Sequence, residues 1–157
     1  MKFSAQEEYG LRCLLQIARL GTSGSMTIPE ISKIEGLSQT HVAKLLMILR
    51  REGLISSTRG QGGGYSIARD PREISVREVL EALGGRLYDA EFCERHSGQL
   101  HVCKHSVDCS LKSLWQVIQT AVDQVVTEIS IADLIAESAD RNVTFMPINS
   151  RPVVPVV

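Results

Sequence analysis

The sequence predicts a mainly α-helical fold that carries one small β-hairpin, and three observations support this prediction. Apolar residues recur at the spacing of one helix face over most of the chain. Three segments begin with a hydroxyl residue followed three positions later by Glu, which is the capping-box pattern of a helix start. A glycine-rich run at 60–64 separates two short segments of the β type. With 157 residues, the chain accommodates one domain and an appended element.

Three helices are predicted in the first third of the chain. The first spans the region 4–21 and the second the region 27–36, each opened by a capping box and ended by glycine. Ser38 is a natural N-cap for the third, whose apolar stripe continues over 38–53. Two helices joined by such a short turn form a helix-turn-helix, in which the second helix can enter a DNA major groove.

The next segments predict a wing and complete the first domain. Residues 54–59 and 64–68 are predicted to form two strands, and the glycines between them suit a hairpin tip because glycine tolerates positive φ. A further helix is predicted over 75–84 from its capping box. Helix, helix and hairpin in this order predict a winged helix-turn-helix, so residues 1–85 are expected to form a DNA-binding domain.

The remainder of the chain predicts a different kind of unit. Residues 86–109 form a polar, irregular stretch that carries three cysteines. A long amphipathic helix is predicted over 110–128, and a short helix follows it as far as 138. Because this part lies far from the first core, its apolar face is expected to pair with a second copy in a homodimer. The tail at 139–157 contains three prolines and is expected to be mobile.

Charge is distributed unevenly along the chain. The net charge is −1, yet residues 1–75 carry ten Lys and Arg against seven acids, and residues 38–72 carry six against two. Such a basic patch is typical of a surface that binds a polyanion, although a solvated charged face has the same composition. The glycine run lacks the Lys-Ser/Thr that a nucleotide-binding P-loop requires, and no nucleophile–base constellation indicates an enzyme. DNA is therefore the favoured partner.

The exposed first turn of the third helix and the wing supply the candidate contacts to a double-stranded DNA operator. Glutamine can pair with adenine through two hydrogen bonds, and an arginine before a flexible tip can enter a narrow minor groove. Arg50 and Arg51 have two open interpretations, as phosphate ligands or as a solvated last turn that complements the helix dipole. The candidate DNA-binding residues are Ser38, Gln39, Thr40, His41, Lys44, Arg59, Gly60, Gly62 and Tyr65.

The four cysteines fall into two groups. Cys13 lies among the leucines of the first helix and is expected to be a buried core thiol. Cys93, Cys103 and Cys109 fall within 17 residues, and clustered thiols in a reducing compartment indicate metal ligands or redox groups. Their spacing matches neither a zinc ribbon nor a thioredoxin motif, while three soft thiolates suit an iron–sulfur cluster or zinc.

Six short motifs of this sequence occur together in a known family. They are Phe3-Ser4, Tyr9-Gly10-Leu11-Arg12, Leu37-Ser38, Leu49-Arg50-Arg51-Glu52-Gly53-Leu54-Ile55, Arg59-Gly60-Gln61-Gly62-Gly63-Gly64-Tyr65 and Val79-Leu80-Glu81-Ala82-Leu83. With them the chain resembles the IscR/NsrR/RirA-type family of winged-helix iron–sulfur transcriptional regulators over residues 2–137. The resemblance implies a homodimeric repressor or activator whose DNA binding depends on an iron–sulfur cluster.

The resemblance also bears on a fourth cluster ligand. IscR-like members carry a histidine three residues after the last cysteine, where this chain has Lys112. NsrR-like members use an acidic residue of the first helix, donated by the other subunit, and Glu8 matches that position while Glu7 suits the helix cap. Glu8 is otherwise a first-turn acid favoured by the helix dipole. The NsrR-like pattern favours a 4Fe–4S over a 2Fe–2S cluster, and the competing ligands are His105, His96 and His101.

Together these observations predict a homodimeric DNA-binding transcriptional regulator, expected to be a repressor, whose operator binding is controlled by an iron–sulfur cluster. The cluster would sense iron, redox state or nitric oxide through the metal ligands Cys93, Cys103, Cys109 and Glu8. The alternative is a zinc-stabilised winged-helix DNA-binding or interaction protein without a sensing cluster. The chain begins without the apolar stretch of a secretory signal and has no apolar run of about 20 residues, so we expect a cytoplasmic protein with no membrane partner.

Overall fold

The computed structural model describes residues 4–60, 63–89, 91–96 and 109–139, with the backbone alone described at 137–139. The predicted residues Gly62, Cys103, His101 and His105 and the tail from 140 onward lie outside the described residues. The helices are α1 Ala5–Ala18, α2 Ile28–Glu35, α3 Gln39–Arg51, α4 Val76–Leu83, α5 Phe92–Arg95, α6 Ser110–Glu128 and α7 Ile131–Ala139, with a 3-10 turn at Pro71–Glu73. The strands are β1 Ile55–Thr58 and β2 Gly64–Ile67. The prediction of a mainly helical fold with one hairpin is confirmed.

Local capping sets the helix starts. In each of the three capping boxes, the glutamate at the third helical position accepts a hydrogen bond from the backbone N–H of the cap residue, at 2.6 Å for Ser4, 2.7 Å for Thr27 and 3.0 Å for Ser75. The hydroxyl of Ser38 accepts from the backbone N–H of His41 at 3.2 Å and begins α3. Gly36 ends α2 with a φ of 68°, a left-handed conformation that favours glycine.

The core lies between α1, α3 and α4, with α2, the hairpin and α7 packed around it. Each buried leucine or isoleucine contributes about 1.5–3 kcal/mol relative to an exposed position. At Gly10 a Cβ would overlap the side chain of Leu83, so the glycine is what lets α4 approach α1. The fully buried side chains include Leu14, Ile17, Ile31, Val42, Leu45, Leu46, Leu49, Ile74, Val79, Leu83 and Ile131.

The hairpin is tied to the helix-turn-helix by a third segment of extended backbone. β1 and β2 are antiparallel, with Ile55 opposite Ile67 and Thr58 opposite Gly64. Met26, just before α2, exchanges two backbone hydrogen bonds with Tyr65, at 2.9 and 2.8 Å. The wing therefore has a fixed position relative to α2 and α3.

The C-terminal helices are joined to the same body. The backbone N–H of Val76 donates to the carbonyl of Ile129 at 2.8 Å, and that of Ile131 donates to the carbonyl of Ile74 at 2.9 Å. Within the region expected to be irregular, the four residues of α5 form a helical turn, because Asp89 accepts from the backbone N–H of Phe92 and pairs with Arg95. No helix among the described residues has both the length and the apolar character to cross a membrane.

Candidate functional site

The N-terminal turn of α3 presents polar side chains to solvent. Ser38, Gln39, Thr40 and Lys44 are exposed, while the opposite face of the helix carries buried leucines. The free backbone N–H groups and the positive dipole end of a helix N-terminus favour phosphate. His41 differs from its neighbours because it is half-buried. This turn thus combines exposed polar side chains with the positive end of a helix dipole, a combination suited to a polyanion.

His41 is half-buried because its ring contacts α1. The rings of His41 and Tyr9 meet edge to face, with centroids 5.6 Å apart and planes at 87°. The Arg12 guanidinium lies 5.6 Å from the centroid of the same Tyr9 ring. α1 therefore packs directly against the first turn of α3.

The same face of α1 also holds the end of α2. The carboxylate of Glu35 accepts from Arg12 Nε at 2.7 Å and from Gln16 Nε2 at 2.6 Å, and only 5% of its side chain is exposed. Hydrogen bonding and the charge of Glu35 raise the pKa of Arg12, which stays positive. A carboxylate in such a buried position needs its partners, because a lone buried charge is strongly unfavourable. The three helices consequently present the helix-turn-helix as one rigid unit.

The wing tip depends on its glycines. Gly60 has a φ of 109°, and the backbone N–H of Gly63 donates to the Gly60 carbonyl at 2.9 Å. At Gly64 a Cβ would lie 2.9 Å from the Met26 carbonyl oxygen, so that position also excludes a side chain. Arg59, at the start of the tip, is exposed, whereas Tyr65 is half-buried at the base of the wing.

Positive side chains line the side of the molecule formed by α3 and β1. Within the described ranges, the exposed Lys44 and Arg59 take part in no ion pair. Arg50 donates to the hydroxyl of Ser57 at 3.2 Å, which links α3 to β1 and keeps the guanidinium at the surface. Arg51 pairs with Glu52 at 3.0 Å and is the least available of the four for phosphate.

Two of the three clustered cysteines lie within the described residues. Cys93 is on α5 and Cys109 is the N-cap of α6, and both are half-buried free thiols. Cys13 is fully buried in the core, and burial raises the pKa of its thiol to about 11. The prediction that Cys13 is a core thiol is confirmed.

A tyrosine that the sequence analysis did not single out, Tyr88, lies beside Cys93. The hydroxyl oxygen of Tyr88 lies 4.0 Å from Cys93 Sγ. Burial first and the neighbouring Cys93 next raise the pKa of Tyr88, and the charge of Cys109 acts in the same direction. Cys93 is therefore the thiol that lies within contact range of the phenol. The position of Tyr88 five residues before the first clustered cysteine was the one available sequence signal.

Polar bonds anchor Tyr88 to α6. Its backbone N–H donates to Oε1 of Gln119 at 2.9 Å, and Gln119 Nε2 donates to Asp123 at 2.7 Å. Asp123 also pairs with Arg86. Gln119 is only 6% exposed, so the bond to Tyr88 satisfies a polar group that would be costly to bury alone. The start of the cysteine region is thereby fixed on the long helix.

An aromatic group borders Cys93. The ring centroid of Phe92 lies 5.2 Å from that of Tyr88, 4.2 Å from that of His96 and 6.4 Å from that of Trp115. His96, one of the competing ligands, is exposed, and its Nδ1 lies 2.7 Å from the carbonyl oxygen of Phe92. Three of the seven aromatic residues in the chain stand here, so this side of the site is unusually apolar for a surface loop.

Glu8 lies on the first turn of α1 and is exposed. Glu7 occupies the capping box, as expected, and Glu8 is left with a solvent-facing carboxylate. Among the described residues, no group of three or more His, Cys, Asp or Glu side chains comes together to hold a metal ion. The two half-buried free thiols of Cys93 and Cys109 are nevertheless of the donor type that iron–sulfur clusters and zinc use.

Comparison with known proteins places this arrangement in a family. The Rrf2 family model, described as "Iron-dependent Transcriptional regulator", matches residues 3–137. The HTH-type transcriptional regulator IscR of Yersinia enterocolitica is 30% identical over 159 residues, which cover 97% of this chain and 94% of the relative.

Solved structures agree with the family match. The fold is similar to that of T. potens IscR, with a TM-score of 0.69 and 26% identity over 96% of this chain and 97% of the other. It is equally similar to CymR, the global cysteine regulator of B. subtilis, with a TM-score of 0.69 and 26% identity over 87% of this chain and 97% of the other. These relatives are transcriptional regulators rather than enzymes, and the wing and helix-turn-helix described above are the DNA-binding parts that such a function requires. The chain belongs to the Rrf2 family of transcriptional regulators.

Proposed function

We propose that this protein is a homodimeric repressor whose binding to a DNA operator is controlled by an iron–sulfur cluster held by Cys93, Cys103 and Cys109. The observation that carries the proposal is the pair of half-buried free thiols, Cys93 and Cys109, in a chain whose family model is described as iron-dependent. The signal that the cluster reports is iron, redox state or nitric oxide.

DNA is read by two elements held in a fixed relation. Ser38, Gln39 and Thr40 meet base edges in the major groove, and His41 joins them from its support on Tyr9. Arg59 reaches into the adjacent minor groove from the wing, and Lys44 neutralises phosphate. Gly60 and Gly62 shape the tip, and Tyr65 fixes its base through the backbone bonds to Met26.

The homodimer is formed along α6. Its apolar residues Leu111, Leu114 and Val117 are 59%, 48% and 67% exposed, while a polar residue, Gln119, is the one that α6 buries within its own chain. An apolar stripe of this kind is stable in water when a second copy covers it. The two-fold symmetry of such a dimer matches a pseudo-palindromic operator with half-sites about one helical turn apart or a multiple of this.

The fourth ligand is Glu8 from the second subunit. Its carboxylate is exposed, and capping of α1 is done by Glu7, so Glu8 has no structural duty that competes with ligation. A carboxylate is a harder and weaker ligand for cluster iron than a thiolate, which makes its iron the natural point of attack for oxygen or nitric oxide. A 4Fe–4S cluster fits this ligand set better than a 2Fe–2S cluster in the NsrR-like pattern.

Signal transfer follows from the neighbours of Glu8 on α1. Tyr9 is the next residue and touches His41 on the reading helix, while Arg12 on the same face holds Glu35 on α2. Release of Glu8 frees the start of α1, and the contacts of Tyr9 and Arg12 carry that change to both helices of the helix-turn-helix. A local change in ligation thus biases the DNA-binding unit as a whole.

The second candidate is a zinc-stabilised winged-helix protein that binds DNA or another protein without sensing. It is supported by the same thiols, because three cysteines and one further ligand also satisfy tetrahedral zinc. Anaerobic purification followed by native mass spectrometry weighs the metal content and the number of chains in one measurement. We expect a dimer with an iron–sulfur cluster on each chain and visible absorbance, whereas a colourless protein with one zinc per chain would favour the alternative.

Variants assign the ligands in that experiment. Cys93→Ala, Cys103→Ala and Cys109→Ala should each abolish the visible absorbance, whereas Glu8→Ala should retain an altered and more labile spectrum. Cys13→Ala is the matched control, since this thiol is buried in the core away from the site. An unchanged spectrum and stability in Glu8→Ala would shift the fourth ligand to a histidine, His105 first.

Salt-dependent binding tests the DNA contacts. Each phosphate neutralised contributes about −0.9 to the slope of log K against log salt. Lys44→Ala should therefore lower the affinity for all DNA sequences alike and flatten the slope by about 1. Arg59→Ala should weaken binding and relax the preference at one A·T-rich position. Arg72→Ala is the control, because its guanidinium pairs with Asp70 outside the proposed surface. Unchanged affinity after both test substitutions would remove the wing and helix from the interface.

A further inference from the structure

We propose that the hydroxyl of Tyr88 donates a hydrogen bond to the thiolate of Cys93 when that thiolate ligates iron, and that this bond makes the cluster easier to reduce. The inference rests on the proposed function, since it assumes that Cys93 holds a cluster. It assigns to Tyr88 the role of a positioning residue that acts on the cluster through its ligand.

The geometry supplies the bond and its direction. The Tyr88 oxygen and Cys93 Sγ are 4.0 Å apart, within reach of sulfur, which is a larger acceptor than oxygen. A thiolate bound to iron carries no proton, so in that state the phenol has to be the donor. Tyr88 is half-buried, and its hydroxyl oxygen lies at the outer limit of hydrogen-bond distance from the sulfur.

The rest of the structure holds Tyr88 in this position. Its backbone N–H is fixed by the buried Gln119, and its ring lies against Phe92, the residue next to Cys93. Arg86, two residues earlier, pairs with Asp123, which in turn accepts from Gln119. Tyr88 is therefore held through its backbone and through its ring, as expected for a residue that sets the orientation of a ligand.

A hydrogen bond to a ligating sulfur changes the charge that the iron experiences. Reduction adds one electron and breaks no bond, and the positive end of the O–H dipole stabilises the added negative charge on sulfur. Hydrogen bonds to the sulfurs are among the factors that set iron–sulfur reduction potentials. Partners of metal ligands also contribute to affinity, and their removal typically weakens metal binding about 10-fold to 100-fold.

The test is Tyr88→Phe, which removes only the hydroxyl and keeps the ring against Phe92. After anaerobic reconstitution, reductive titration with dithionite and redox mediators should give a more negative midpoint potential than in wild type. Affinity of the apoprotein for Co²⁺, measured from the thiolate-to-cobalt absorbance, should fall about 10-fold. Thr120→Val removes a hydroxyl from α6 that bonds only to the Gln116 carbonyl, and should change neither quantity.

A second variant guards against local misfolding. Gln119→Ala releases the backbone of Tyr88 without touching its hydroxyl, and we expect a smaller shift of the midpoint potential in the same direction. If wild type and Tyr88→Phe hold the same cluster with equal midpoint potentials, this inference is overturned and the proposed function stands. If wild type takes up no iron–sulfur cluster at all, both fail together.

Discussion

The two halves of this molecule differ in how much of their surface a single chain satisfies. All of the buried apolar residues except Ile131 come from residues 13–83, where α1, α3 and α4 close a core and the caps satisfy the helix starts. In the C-terminal half, α6 buries Gln119 and exposes Leu111, Leu114 and Val117. Most of the first half thus packs within one chain, with isolated exposed residues such as Ile34 and Met47, whereas most exposed apolar residues of the second half lie together on α6, on a surface that a partner would cover.

The thiols follow the same division. Cys13 belongs to the closed core, where burial keeps it protonated and unreactive. Cys93 and Cys109 are half-buried and free, and Cys93 lies 4.0 Å from the hydroxyl of Tyr88. The contrast shows why residue type alone does not identify a site: a thiol becomes a candidate ligand through its exposure and neighbours.

The largest expected effect compares one leucine from each half. Leu14→Ala should lower the free energy of unfolding by about 2–5 kcal/mol, because it leaves a cavity in a closed core. Leu114→Ala should change the stability of the single chain by less than about 0.5 kcal/mol, because the side chain is 48% exposed. Urea denaturation at low protein concentration measures both.

The same position then tests the dimer. Leu114→Asp should shift the protein to monomer in sedimentation at micromolar concentration, because a charge in a covered apolar stripe is unfavourable. Gln116→Asp is the control at an exposed polar position of the same helix. A Leu114→Asp protein that stays dimeric would mean that the interface lies elsewhere, and the division between the two halves would lose its main consequence.

An intermediate effect concerns the ion pair between Arg12 and Glu35 in the first half of the chain. Glu35→Gln should cost about 1–2 kcal/mol, a value below that for a fully buried pair because the Arg12 side chain is 43% exposed. Glu52→Gln, in the exposed pair with Arg51, should cost less than about 0.5 kcal/mol. Operator affinity should fall further in Glu35→Gln than global stability explains, since Glu35 holds α2 to α1. If fully folded Glu35→Gln and wild type bound the operator with equal affinity, the role of this ion pair would be limited to stabilising the fold.

The smallest effect is a pH dependence that belongs to Cys13. A solvated cysteine thiol has a pKa of 9.0, and burial raises the pKa of Cys13 to about 11 in the folded protein. Below pH 9 the thiol is protonated in both the folded and the unfolded protein, so it adds no pH dependence. Between pH 9 and about 11 the unfolded protein loses a proton that the folded protein keeps, so the free energy of unfolding falls as pH rises. Cys13→Val should remove this component from the apoprotein. Parallel stability curves for both proteins from about pH 8 to 11 would contradict the assignment.

Much of the fold could be predicted from local patterns. The starts of α1, α2, α3 and α4 follow from cap residues, and glycines are the C-caps of α2 and α4. The other two helices end before the predicted glycine, α1 at Ala18 and α3 at Arg51. These signals work because capping bonds and helix faces involve residues three or four positions apart. The strand pair followed similarly from the glycine run between two short β-type segments.

The candidate site was predictable only in its residue types. The cysteine cluster and the basic wing stand out in composition, and the family motifs strengthened that interpretation. The sequence did not indicate that Met26 would pair with Tyr65 at the base of the wing, that Tyr9 would contact His41, or that Tyr88 would lie beside Cys93. The helical turn of α5 was likewise unexpected in a polar stretch, where Asp89 provides both the bond and the charge that stabilise it.

The sequence by itself determined the order of elements, the family and the identity of the candidate ligands, because each depends on short-range pattern or on motif. The tertiary structure decided which side chains meet: Gln119 with Tyr88 across 31 positions, and Arg12 with Glu35 across 23. Such contacts depend on how whole helices pack, and a close approach such as that of α4 on Gly10 is fixed by side-chain volumes from distant parts of the chain.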